Sequence, residues 1–214
     1  MEQGSNTLIA TLVADLEPVR PLGFAEGLAW ALGAAGVTVA AVVGLFGLRP
    51  QLAAGVIEPL HLIAYGLFLG LAVAASVTVV VMSRPQIGND HEGWRWAAGM
   101  AALLPLAGVV VAISRGRDVL APESLRHGAE CFAIAGLASL LVFALLVGWL
   151  RRGAPTAPDR AGMLAGVAAG SFGIFAFSLH CPIDDIAHVG IWHSAVVLAV
   201  GAVGRLAVPR LIRW

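Results

Sequence analysis

The chain has 214 residues, 59% of them hydrophobic and 12% charged, with a formal net charge of zero and a mean hydropathy of +0.88. Such a composition excludes an ordinary soluble domain and indicates an integral membrane protein. All thirteen basic residues are Arg and form no basic stripe or tail, which argues against direct binding of nucleic acid. Two cysteines are too few for the disulfide framework of a small secreted domain.

Met1 to Asn6 holds an acid in place of a basic leader, and no small-residue cleavage site follows, so no cleaved signal peptide is expected. Residues 7–16 place Leu8, Leu12 and Leu16 on one helical face, with Ile9 and Val13 beside it. This is the pattern of a short amphipathic helix, capped by Asn6 or Ser5. It is too short and too polar to cross a bilayer. It reads either as a helix on the membrane surface or as a docking element for a cytoplasmic partner. Pro18 and Pro21 close this segment, with Arg20 between them. Residues 1–23 are thus read as a cytoplasmic docking segment, and residues 24–214 as the membrane domain.

Six apolar stretches follow, near 25–47, 60–82, 95–113, 131–149, 162–180 and 189–207. Each is close to the roughly 20 residues that a spanning helix needs. The fold class expected is all-α, a six-helix transmembrane bundle. Gly162, Gly166, Gly170 and Gly173 place small residues along the fifth span, where they let helix backbones approach closely. With both termini inside, nine Arg fall on the inner side and four (Arg49, Arg115, Arg117 and Arg126) on the outer. The positive-inside rule therefore favours N-in and C-in. Under that topology Cys131, at the start of the fourth span, and Cys181, after the end of the fifth, share the outer side.

Leu179-His180-Cys181-Pro182-Ile183-Asp184-Asp185, with His188 and His193 beyond it, gathers most of the chemistry in the chain. Thiolate is a strong ligand for soft metals, and imidazole suits copper and zinc. His180, Cys181, Asp184, Asp185, His188, His193, His127 and Cys131 form the pool of ligands. Pro182 biases Cys181 away from helix and is expected to turn its thiol toward the outer loop. A short helix after it would put Asp184, Asp185 and His188 on one face. His193, inside the sixth span, reads as a satisfied core histidine, and His61 and His91 are given no role.

The chain lacks the Gly-x-Ser-x-Gly, Walker and dinucleotide glycine patterns. It also lacks the C-x-x-C pair of a quinone-coupled thiol oxidoreductase. No enzyme and no constitutive cofactor is expected. Ionisable groups are almost absent from the middle of the spans, unlike a transporter's substrate path. What remains is a sensor or regulator that binds on one side and signals to the other. A small metal-binding or metal-transport membrane protein is the alternative.

Leu179-His180-Cys181-Pro182-x-Asp184, Trp192 and the closing Leu211-Ile212-Arg213-Trp214 resemble the NrsF family of integral-membrane anti-sigma factors. So do Pro18-Val19-Arg20-Pro21-Leu22, Gly47-Leu48-Arg49-Pro50 and Arg151-Arg152-Gly153-Ala154-Pro155-Thr156. The likeness covers nearly the whole chain. It implies a protein of the bacterial inner membrane that holds an extracytoplasmic-function (ECF) sigma factor, SigF-like, inactive on the cytoplasmic side. It also implies release under heavy-metal or related stress, with two cysteines, matched here by Cys131 and Cys181, needed for the response. The chain departs from the family pattern in having Asp185 where a Ser follows the Asp, and His188 and His193 where aromatic residues stand. The expected trigger is a thiophilic ion, copper foremost, held by Cys131 and Cys181 with His180 or His188, and Asp184 or Asp185 completing the shell. A Cys131–Cys181 disulfide is the other route.

Overall fold

The computed structural model describes residues 2–14, 16, 22–56, 59–85, 93–115, 121–183 and 185–212. All regular structure among them is helical. The helices are α1 (Glu2–Ala14), α2 (Phe24–Phe46), the short α3 (Pro50–Ala53), α4 (Pro59–Met82) and α5 (Gly93–Arg115). They continue with α6 (Pro122–Ala138), α7 (Leu140–Arg152), α8 (Pro158–Ser178), α9 (Ile186–His188), a π turn (Val189–His193) and α10 (Ser194–Leu211). Among the described residues six helical segments are long and apolar enough to cross a membrane, so this is a multi-pass membrane protein. α6 and α7 form one such segment of 31 residues, Pro122–Arg152, jointed at Ser139, whose Oγ donates to Gly136 O at 2.6 Å.

Three expected boundaries move. The fourth span begins nine residues before Cys131, because Pro122 opens the helix at its first turn and Arg126 pairs with Glu130 one turn on. The charge on this stretch made it read as a loop. Cys131 still lies 20 residues before Arg151, about 30 Å along the axis and close to one bilayer thickness. The sixth crossing starts at Ile186 and runs through Pro209 to Leu211. At the N-terminus α1 begins at Glu2, so Ser5 and Asn6 lie inside the helix and do not cap it. Leu8, Leu12 and Leu16 are exposed, and Arg20 lies outside the described residues.

α8 is the axis of the bundle. It packs against α10, α4, α7, α6 and α2, and nearly all of its residues are buried. The expected close approach is realised along its glycines. A Cβ on Gly162 would strike the Gly204 carbonyl oxygen of α10, and one on Gly166 the Val200 carbonyl oxygen. A Cβ on Gly170 would sit 3.0 Å from Val197 Cα, while Gly173 turns to α6 and would meet Ala135 O at 2.6 Å. Three glycines thus seat α10 and the fourth seats the joint near Ser139.

The two ends of the bundle differ in chemistry. At one end Arg152 pairs with Glu26 at 3.1 Å, Arg84 donates to Leu22 O at 2.9 Å, and Arg205 faces Asp159 at 3.8 Å. At the other, Gly47 adopts φ +80°, a conformation open to glycine, and ends α2. The following Arg49 donates its backbone N–H to Leu179 O at 2.9 Å. Its guanidinium, 3% exposed, donates to Tyr65 Oη at 2.9 Å. Tyr65 Oη in turn donates to Ser178 O at 2.8 Å. This clamp ties the α2–α3 corner and α4 to the end of α8, three residues before Cys181.

Candidate metal centre

α8 ends at Ser178, and the N–H groups of both His180 and Cys181 return to Phe177 O, at 2.9 and 3.0 Å. The chain turns there, one step before Pro182. The turn carries the thiol inward. Cys181 is 2% exposed and joins the core, so it lies in the bundle wall, contrary to the outer-loop placement expected from Pro182. Cys131 points in from α6, and the two Sγ atoms stand 3.8 Å apart, with both cysteines as free thiols.

The next element brings in two imidazoles. Residues five apart on an α-helix are rotated by about 140° at 3.6 residues per turn, so His188 and His193 would face different ways. The π turn at Val189–His193 closes i to i+5 and stacks them. Their ring centroids lie 5.2 Å apart, edge to face. His188 Nε2 is 3.9 Å from Cys181 Sγ. One ligand atom from each of Cys131, Cys181, His188 and His193 lies within 4.8 Å of the others, and all four residues are buried.

His193 is therefore no satisfied core histidine. The Ser178 hydroxyl donates to Ile174 O at 2.7 Å, so its oxygen is the acceptor for His193 Nδ1–H at 3.4 Å. That leaves a lone pair on Nε2, which has no hydrogen-bond partner in a residue 1% exposed. Such an atom is costly to bury. The signal in the sequence was present but needed the π turn to be read. The Cys181 thiol, in the connection between α8 and α9, is pulled below the ordinary thiol range. The hydrogen bond from the Cys131 thiol is the main cause, with His188 and His193 adding to it and burial opposing.

Among the described residues none of the remaining sequence candidates joins this quartet. His180 Nδ1 is 3.2 Å from Gly47 O, and its ring packs between Phe46 and Phe177 at 5.4 and 5.6 Å. Asp185 precedes α9, where its carbonyl accepts from Val189 N at 2.9 Å, and it is half-buried. Asp184 and His91 lie outside the described residues. His127 is half-buried on α6, and the buried His61 packs on Tyr65 with centroids 5.4 Å apart.

The π turn is itself held by close contacts. A Cβ on Gly108 of α5 would lie 2.7 Å from Gly190 Cα, and one on Gly128 of α6 would strike the Trp192 indole. Both elements that flank the quartet therefore touch the segment that carries its histidines.

The family model for NrsF, negative regulator of sigma F, matches residues 12–214. The chain belongs to the NrsF family. It is 32% identical to the anti-sigma-F factor NrsF of Caulobacter vibrioides, over 98% of this chain and 99% of that protein. It is 27% identical to the probable anti-sigma-F factor NrsF of Azospira oryzae, over 97% of this chain and 98% of that protein. No solved structure matches the chain. The expectation from Leu179-His180-Cys181-Pro182 is thereby met.

Proposed function

We propose that this NrsF-family chain is an inner-membrane anti-sigma factor that sequesters a SigF-like ECF sigma factor on the cytoplasmic side. It releases that factor when the Cys131–Cys181 pair meets a heavy metal such as copper, cadmium or chromate, or an oxidant. The observation that carries the sensing part is the 3.8 Å approach of the only two thiols in the chain, fifty residues apart in sequence. Full-length relationship to proteins named anti-sigma-F factors supports the sigma part. The Arg asymmetry supports an outward thiol pair and an inward Arg84, Arg152 and Arg160 surface, joined there by Leu8, Leu12, Leu16 and Arg20 of the N-terminal segment.

Two chemistries reach the same end. A soft ion displaces the two thiol protons and bridges the sulfurs. A two-electron oxidant of the chromate class takes two electrons, the thiols lose two protons, and an S–S bond forms. Either ties α6 to the α8–α9 connection at one end. A coupling of about 1–3 kcal/mol to the other end would change sigma affinity roughly 5- to 150-fold.

The test is a reporter for the cognate sigma factor in cells carrying wild type, Cys131→Ser or Cys181→Ser, with and without copper, cadmium or chromate. Repression without stress and loss of induction in both variants is the expected result. Induction that survives both substitutions removes the thiols from sensing. No repression by the wild type removes the anti-sigma reading and leaves metal handling as the function to test.

A further inference from the structure

We propose that Cys131, Cys181, His188 and His193 form a closed four-coordinate site for a thiophilic divalent d10 ion, zinc or cadmium. The inference rests on the thiol-pair reading above and adds the two histidines as ligands, brought together by the π turn.

The donor set is the first argument. Two thiolates and two imidazoles are a tetrahedral S2N2 set, the arrangement that suits zinc-type ions. Around such an ion, with metal–sulfur bonds of about 2.3 Å, the two sulfurs of a tetrahedron stand about 3.8 Å apart. The free thiols already stand at 3.8 Å, and His188 Nε2 at 3.9 Å from Cys181 Sγ. The widest ligand pair is within 4.8 Å, so closure needs movements of about an ångström.

The second argument is the unpartnered nitrogen. His193 Nε2 is buried with no hydrogen bond, while Nδ1 on the same ring is held by Ser178. A ligating histidine characteristically donates its far N–H to a fixed partner, which orients the ring and sets the tautomer. Ser178 supplies that partner, and its own hydroxyl is fixed on Ile174 O.

Charge is the third. Two thiolates and two neutral imidazoles around a divalent ion sum to zero, whereas copper(I) leaves one net negative charge. Among four buried ligand residues the neutral combination is favoured. The charge sum thus turns the preference away from copper(I), and His180, engaged with Gly47 O, is left out of the shell. Binding releases the two thiol protons to solvent.

Purified full-length protein, reduced and held in lipid nanodiscs, tests this with cobalt(II) as spectroscopic probe and cadmium(II) by competition with a chelator. Wild type should bind one ion per chain, with the visible spectrum of tetrahedral cobalt and a thiolate charge-transfer band. His188→Ala and His193→Ala should each weaken cadmium binding by at least about tenfold and shift the cobalt spectrum. His193→Asn keeps a polar side chain in the same space and should weaken binding equally, which separates ligation from a folding defect. His180→Ala should bind as wild type does. Wild-type affinity and spectrum in both histidine variants would overturn the histidine ligation while leaving the thiol pair as sensor. Failure of wild type to bind either ion would overturn the metal site. The reporter response to chromate in the cysteine variants then decides the thiol reading separately.

Discussion

Tyr65 shows how single side chains hold the thiol end together. Its hydroxyl accepts from Arg49 at 2.9 Å and donates to Ser178 O at 2.8 Å, and both partners are buried. Tyr65→Phe should cost about 1–3 kcal/mol, because it removes the buried hydroxyl that accepts from Arg49 and donates to the Ser178 carbonyl. A lower melting temperature in detergent and faster maleimide alkylation of Cys181 are the expected readouts; unchanged values of both would refute the clamp. Arg49 entered the sequence reading as one of the outer arginines and within Gly47-Leu48-Arg49-Pro50, since nothing local marks it as buried. His193 is the parallel case. Its spacing of five from His188 argues for opposite faces of an α-helix, and the π turn reverses that reading. The cysteines were legible, because six crossings put the start of the fourth and the end of the fifth on one side.

Among the elements, α8 and the π turn carry the most consequence. Gly166→Ala should destabilise the bundle by about 1–3 kcal/mol, because its Cβ would strike the Val200 carbonyl and lie 2.8 Å from Gly201 Cα. Gly36→Ala, with nothing within 4 Å of the added carbon, should melt as wild type does. Equal melting of the two variants would remove the glycine seam as the basis of α8–α10 packing. The π turn permits a sharper test. Deleting Ile191 should convert the segment to α geometry, put the two imidazoles at i, i+4 on one face about 40° apart, and leave α10 in its seat. Cadmium affinity should then be retained, and its loss would contradict the account of the turn as the device that lets histidines five apart share a face. The small-residue seam was readable from the repeat of Gly162, Gly166 and Gly170. The length of α6 was not, since Glu123, Arg126 and Glu130 read as loop until their helical pairing is seen.

For the whole molecule the deciding quantity is which end faces outward. Val56, in the connection after α3, belongs to the thiol end, and Thr156, between α7 and α8, to the Arg84–Arg152 end; both are exposed. In a Cys131→Ser, Cys181→Ser background, Val56→Cys should react with an impermeant maleimide on intact cells. Thr156→Cys should react only after lysis. The reverse pattern would turn the protein over and place the thiol pair on the cytoplasmic side. Arginine counting favours the thiol end outward, because charge placement bears on insertion rather than packing.

The near-complete burial of the quartet also sets a clock. Cys131, Cys181, His188 and His193 are 6%, 2%, 5% and 1% exposed, so at the proposed site an arriving ion would wait for the π turn and its neighbours on α5 and α6 to open. Association that depends on such an opening runs well below the encounter rate, and departure waits on the same event. A receptor built this way averages over time. It would respond to sustained exposure, ignore brief pulses, and stay switched on for a while after the metal outside is gone.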